Sequence, residues 1–323
     1  MVKKMAAFLL LFGIVFSASP YNSHLPGQKT PTLHTIVLDA GHGGFLQGTK
    51  GLISREQDVT LDITLKLGEA IKKEFPDIKI VYTRTTDATV ENGANLKEDL
   101  HNRAKIANEA KGDLFISIHC DATRQPAGGY YEKRVIGHKK KLEYVGKGKK
   151  KKKKLVTVPI YESYWVKNMM TGATTYIWKA ERSSKKGDAI DQRGENSEEL
   201  EDSTVVWDTE SPEARIRAQL YEQKYFKKSA TLASFVEEEF EKSGRRTWGV
   251  KQRGVGIQVL EATGMPSVLI ETGYLSNKEE EEYLNSEKGQ DEVVENIVDA
   301  LKRYKQQLEG VKSAAIPDTG NSK

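Results

Sequence analysis

The sequence predicts an α/β fold: a single three-layer domain with a mixed, mostly parallel sheet, helices on both faces and a long insertion. Three observations carry this. Short apolar runs bounded by Gly or Pro alternate with longer segments of helical period along residues 34–122. Two more strand-like runs and two helical segments return at residues 256–308. Between these blocks the charge is so segregated that the stretch reads as an addition to the domain. Strands joined through helices favour parallel pairing, with the helices packed on the sheet faces.

The elements follow in order. His34–Ala40 is an apolar run stopped by Gly41, which suits a buried strand. Asp58–Phe75 sets Val59, Ile63, Leu67 and Ile71 on one helical stripe, and Pro76 ends it. Ile78–Thr83 is a second strand, Leu96–Ala110 a second helix and Leu114–His119 a third strand. From Glu132 to Lys154 there are 12 Lys/Arg against 2 Glu, including the run Lys149–Lys154. From Glu181 to Glu213 the balance reverses, with 11 acids against 4 bases. Gly172–Lys179 looks like a strand between these blocks, and residues 125–212 are read largely as the insertion. Pro212–Lys242 is a long charged helix. Gly256–Glu261 and Pro266–Glu271 are strand-like, and Asn277–Leu284 and Glu292–Leu308 are amphipathic helices.

Composition narrows the class. With 323 residues there is ample material for a core, and one cysteine excludes a disulfide framework or a Cys-rich metal site. The 50 Lys+Arg against 46 Asp+Glu argue against a dedicated nucleic-acid protein. Lys3 and Lys4 precede the apolar run Met5–Phe16 and the small residues Ser17–Ser19, the pattern of a signal peptide over residues 1–19. Export to the periplasm or cell envelope is therefore expected. Residues 20–33 read as a polar leader, 34–309 as the domain and 310–323 as a disordered tail.

Four residues at element ends carry candidate chemistry. His42 lies in Ala40-Gly41-His42-Gly43-Gly44 directly after the first strand, and Glu56 enters the first helix. His119 ends the third strand, and Glu271 ends the last. Ligands of open α/β sheets gather beyond the carboxyl ends of strands. Two His and two Glu there permit a catalytic zinc with three protein ligands and a fourth carboxylate as base. Residue type alone does not say which glutamate takes which role, and each residue taken singly also suits a structural one. Arg84, at a strand end, could contact substrate, and a structural ion pair is the plainer reading. Cys120 is expected to point to the opposite face of its strand from His119.

The stretches IVLDAGHGG (36–44), REQDVTLDI (55–63), VYTRTTD (81–87), DLFISIHCDA (113–122) and GVKQRGVGIQVLEATGMPSVLIETGYLSN (249–277) give the chain a resemblance to a known family. In that order they resemble the zinc-dependent N-acetylmuramoyl-L-alanine amidases, amidase type 3. The resemblance implies one Zn2+ held by His42, Glu56 and His119, with Glu271 as catalytic carboxylate. It also implies attack of zinc-bound water on the amide joining N-acetylmuramic acid to L-alanine in peptidoglycan. Asp121 departs from the pattern, standing where the family commonly carries Asn.

The family also suggests roles for the insertion: a protein activator acting on it, with Glu181 and Glu195 as candidate carboxylates capping the zinc until displaced. A solvated charged loop is the plainer reading. Lys149, Lys150, Lys151, Lys152, Lys153 and Lys154 could bind anionic wall polymer or lipid through charge. The alternatives to the amidase are a zinc peptidase acting on the stem peptide and a catalytically inactive wall-binding protein.

Overall fold

A computed structural model describes residues 33–147, 151–179, 186, 212–253 and 257–310. The expected signal peptide, nearly all of the leader and tail, and Glu181, Glu195, Lys149 and Lys150 lie outside the described residues. The strands are β1 (Thr35–Ala40), β2 (Lys79–Tyr82), β3 (Leu114–Asp121), β4 (Gly129–Val145), β5 (Lys152–Lys167), β6 (Ala173–Ile177), β7 (Thr247–Gln252) and β8 (Ser267–Tyr274). The helices are α1 (Glu56–Glu74), α2 (Leu96–Glu109), α3 (Pro212–Lys242), α4 (Gln258–Ala262), α5 (Lys278–Asn285) and α6 (Glu287–Leu308). Among the described residues no helix is long and apolar enough to cross a membrane.

Six strands form one sheet in the order β2-β1-β3-β8-β6-β7. Four of its pairings are parallel, and β6 runs antiparallel to β8. Period-two alternation builds a core on each face. Ile36, Leu38, Ile116, Ile118, Val268 and Ile270 join one core with residues of α1, α3 and α6. Val37, Phe115 and Leu269, from the alternate positions, join the other with Ala107 of α2 and Val259 and Leu260 of α4. The three-layer, mostly parallel architecture matches the expectation.

Two differences matter. The strand expected at Gly256–Glu261 is instead helix α4 from Gln258, and the edge strand is Thr247–Gln252. A short apolar run fits a buried strand or a buried helical turn equally well, and here the chain takes the turn. β7 has one sheet neighbour and leaves Val250, Lys251 and Gln252 exposed, so it needs no apolar run. The interval 125–212, read largely as an insertion, also supplies β6 to the central sheet, where Thr174 pairs with Glu271. Its basic half is not a loop: β4 and β5 form a long antiparallel hairpin, and Lys152, Lys153 and Lys154 pair with Val145, Tyr144 and Glu143.

Beneath the carboxyl end of β1 lies a buried charge network. Arg103 of α2 is 2% exposed; its Nη1 meets Asp39 Oδ1 at 2.7 Å and its Nε meets Asp99 Oδ2 at 2.6 Å. Thr83 and Ser117 hydroxyls donate to the two Asp39 oxygens, each at 2.6 Å. Burial opposes charge on Asp39, but Arg103 and these hydroxyls outweigh it and hold its carboxyl below the ordinary range. Removing one partner of such a network strands the others in the interior. Arg103→Ala is expected to lose about 3–5 kcal/mol in denaturant unfolding. Lys66→Ala, which breaks the surface pair with Asp291, is expected to lose less than about 1 kcal/mol. Equally small losses would mean that the network does not hold the fold.

Candidate metal centre

The sheet delivers two of the candidate residues side by side. β3 and β8 pair in register with His119 opposite Glu271, so both side chains leave the same face, that of Phe115 and Leu269. Cys120, one residue on, packs into the opposite core and is 2% exposed. Just beyond, the register shifts so that Asp121 pairs with Tyr274, a bulge at the strand end beside the cavity.

β1 then hands the chain to a tight turn. His42 sits at φ 64°, in the left-handed region that few non-glycine residues occupy. Two arginines, with the Thr60 hydroxyl on the Gly41 carbonyl, hold this turn. Arg103 Nη2 donates to the His42 carbonyl at 2.5 Å, and Arg84 Nη2 and Nε donate to the Gly41 and Ala40 carbonyls, each at 2.9 Å. Arg84 thus meets backbone carbonyls where the sequence suggested an ion pair, and it also reaches the Gln57 carbonyl at 2.8 Å. Burial, followed by the neighbouring Arg103 charge, lowers its pKa to about 10. Gly41 has no room for a side chain: a Cβ would lie within 2.7 Å of the His119 Nδ1.

Glu56 is the first residue of α1, and its backbone N–H donates to the Thr49 carbonyl at 2.8 Å. Its Oε1 lies 3.2 Å from His42 Nε2 and 2.9 Å from His119 Nδ1. The Cys120 amide donates to the same oxygen at 3.1 Å, and the Thr49 amide donates to Oε2 at 2.8 Å. One donor atom from each of His42, Glu56 and His119 comes within 4.8 Å of the others. The two imidazoles meet edge to face with centroids 5.0 Å apart. Burial works against charge on Glu56, but the hydrogen bonds with His119 and His42 prevail and hold its carboxyl far below the usual range.

These residues line a cavity of about 390 Å³ together with Glu271, Asp121 and Arg253. Glu271 is 6% exposed, and its Oε2 has no hydrogen-bond partner among the described residues. Burial, then the Glu56 and Asp121 carboxyls, push its pKa well above the carboxylate range, while Arg253 acts in the opposite direction. The cavity therefore holds three converging donors and, separately, a carboxyl with high proton affinity.

The structure brings His42, Glu56 and His119 together and sets Glu271 in the same cavity but outside their cluster. Glu181 and Glu195 lie outside the described residues, and Lys151–Lys154 belong to the tip of the β4–β5 hairpin. Sequence reasoning missed Arg103, Arg253 and the amides of Thr49 and Cys120. Arg253 stands in one of the matching stretches but had no other signal, and an amide donor leaves none. Gly48 was equally silent: a Cβ there would lie 2.5 Å from Glu56 Oε2 and 2.7 Å from the His42 ring.

Comparison with known proteins gives the chain its relatives. N-acetylmuramoyl-L-alanine amidase AmiC of Escherichia coli O6:H1 is 26% identical over 281 residues, 86% of this chain and 54% of AmiC. The germination-specific N-acetylmuramoyl-L-alanine amidase of Bacillus subtilis is 30% identical over 118 residues, 35% of this chain and 50% of that protein. The chain spans about half the length of these curated relatives. Among solved structures, the CwlD amidase from Clostridioides difficile, in complex with the GerS lipoprotein, is similar in fold with a TM-score of 0.51. It is 24% identical, and the match covers 84% of this chain and 98% of that one. Residues 36–303 match the Amidase_3 family model, described as N-acetylmuramoyl-L-alanine amidase, and the chain belongs to that family.

Proposed function

We propose that the chain is an exported zinc hydrolase that cleaves the amide between N-acetylmuramic acid and L-alanine in peptidoglycan. The observation that carries this reading is the convergence of His42, Glu56 and His119 donors within 4.8 Å beside the unpartnered, buried Glu271 Oε2. Two imidazoles and a carboxylate are the donor set of a catalytic zinc, which takes three protein ligands and leaves a position open. Zinc bound there supplies Lewis acidity, lowering the pKa of water and polarising a carbonyl.

The chain's own residues do the rest. The Cys120 and Thr49 amides fix the two Glu56 oxygens, so that its carboxylate keeps one orientation toward the imidazoles. Glu271 takes the proton from the attacking water at Oε2 and passes it to the departing alanine nitrogen, the role of a general base turned acid. Arg253 at the cavity wall offers a cation to an anionic substrate group. The Lys3–Phe16 pattern supplies the route to a wall substrate, and a protein activator acting on the interval that contains Glu181 and Glu195 belongs to the same reading.

Mass spectrometry of purified peptidoglycan digested by the full chain is expected to show intact stem peptides with a free L-alanine amine, lost on chelation and restored by zinc. Shortened stems would instead indicate a peptidase. Glu271→Gln is expected to lower kcat by about 10²–10⁴-fold while metal analysis still finds bound zinc. Loss of zinc from this variant would make Glu271 a ligand. Gly41→Ala is expected to lower zinc occupancy by displacing the His119 ring, with the fold retained by circular dichroism. Unchanged occupancy would show that the ring has room to move.

A further inference from the structure

The β4–β5 hairpin is the largest feature that hydrolysis leaves unused. Its two strands pair along 16 residue pairs, about 50 Å of ribbon at the usual rise per residue. They form a two-stranded sheet of their own, and no other described strand pairs with either edge. A ribbon with no covering layer is marginal in water, and contiguous exposed apolar surface marks an interaction site.

The register shows what kind of surface this is. On one face Tyr131 stands opposite Trp165, Val135 opposite Tyr161 and Leu142 opposite Leu155. All six are exposed, from 51% for Val135 and Trp165 to 71% for Tyr131. The same face carries Lys133, Lys140 and Lys153 but no acid. The three acids of the hairpin, Glu132, Glu143 and Glu162, all fall on the other face, opposite Tyr164, Lys154 and Arg134. Residues 129–167 hold 13 Lys/Arg against those 3 Glu. The bulge after Val135 keeps the apolar ladder on one side by restoring its register with β5.

We infer that this face of the hairpin docks on an anionic lipid bilayer surface. Lys133, Lys140 and Lys153 on this face meet phosphate headgroups, and the Tyr, Trp and Leu side chains enter the headgroup–acyl boundary, where amphipathic aromatics reside. A soluble polyanion would satisfy the charges and leave the apolar ladder in water. Lysines placed only to block edge pairing would not require the acids to be confined to one face.

The test is sedimentation of the full chain with vesicles of phosphatidylcholine alone or mixed with phosphatidylglycerol, beside a binding assay with soluble polyphosphate. Binding to the anionic vesicles is expected, with weakening at high salt and at least about tenfold loss in the K133Q/K140Q/K153Q variant. L142S/L155S is expected to lose vesicle binding to a similar degree while polyphosphate binding stays unchanged. In Leu142→Trp, brominated lipid is expected to quench the new fluorophore. All variants should keep wild-type hydrolysis of soluble muropeptides, which reports that the domain is folded. Vesicle binding insensitive to L142S/L155S would overturn the inference in favour of a polyanion site. So would absence of vesicle binding, and self-association abolished by L142S/L155S would then identify a second copy as the occupant.

Discussion

The guanidinium of Arg103 ties three parts of the molecule into one object. It reaches Asp39 at the end of β1, Asp99 one turn back on α2, and the carbonyls of Ala40 and His42 in the turn between them. Each of these acceptors is buried or partly buried, so none can exchange Arg103 for water without a large desolvation penalty. The turn that carries His42 is therefore fixed from below, with Arg84 fixing it from the side.

That constraint explains how a strained residue can sit at the centre of the site. A left-handed histidine is unfavourable in isolation and persists when its surroundings over-determine it. Here two arginines hold the carbonyls, and the absence of side chains at Gly41 and Gly48 lets the His119 and His42 rings close on Glu56. β3 and β8 complete the geometry by register alone, since pairing His119 with Glu271 sets both on one face. The His42–Glu56–His119 donor cluster and the Glu271 carboxyl are thus placed by different elements around the carboxyl ends of β1, β3 and β8.

Much of this was legible in the sequence because strands and helices at the core have strong periodicity. Val59, Ile63, Leu67 and Ile71 marked α1, and the run Ile36–Leu38 stopped by Gly41 marked β1 with its turn. Element ends named His42, Glu56, His119 and Glu271, but the separation of Glu271 from the donor cluster needed coordinates, because residue type is the same for both glutamates. The edge strand Thr247–Gln252 was invisible because a strand with one neighbour and exposed side chains has no apolar pattern to show. Gly256–Glu261 had the opposite fault, an apolar run too short to distinguish strand from helical turn. The hairpin hid behind its lysines: charge patterning reads as solvated loop, whereas the β4–β5 ladder appears once Leu142 is matched to Leu155 and Tyr131 to Trp165.

In the proposed hydrolase, His42, Glu56 and His119 hold one metal ion together. Zinc K-edge X-ray absorption on the zinc-loaded chain addresses this directly, because light and heavy donors scatter differently. Nitrogen and oxygen donors are expected at about 2.0–2.2 Å, with two imidazole signatures and no sulfur. A zinc–sulfur shell at about 2.3 Å, drawing in the buried Cys120, would contradict this, as would a fit that needs only one imidazole.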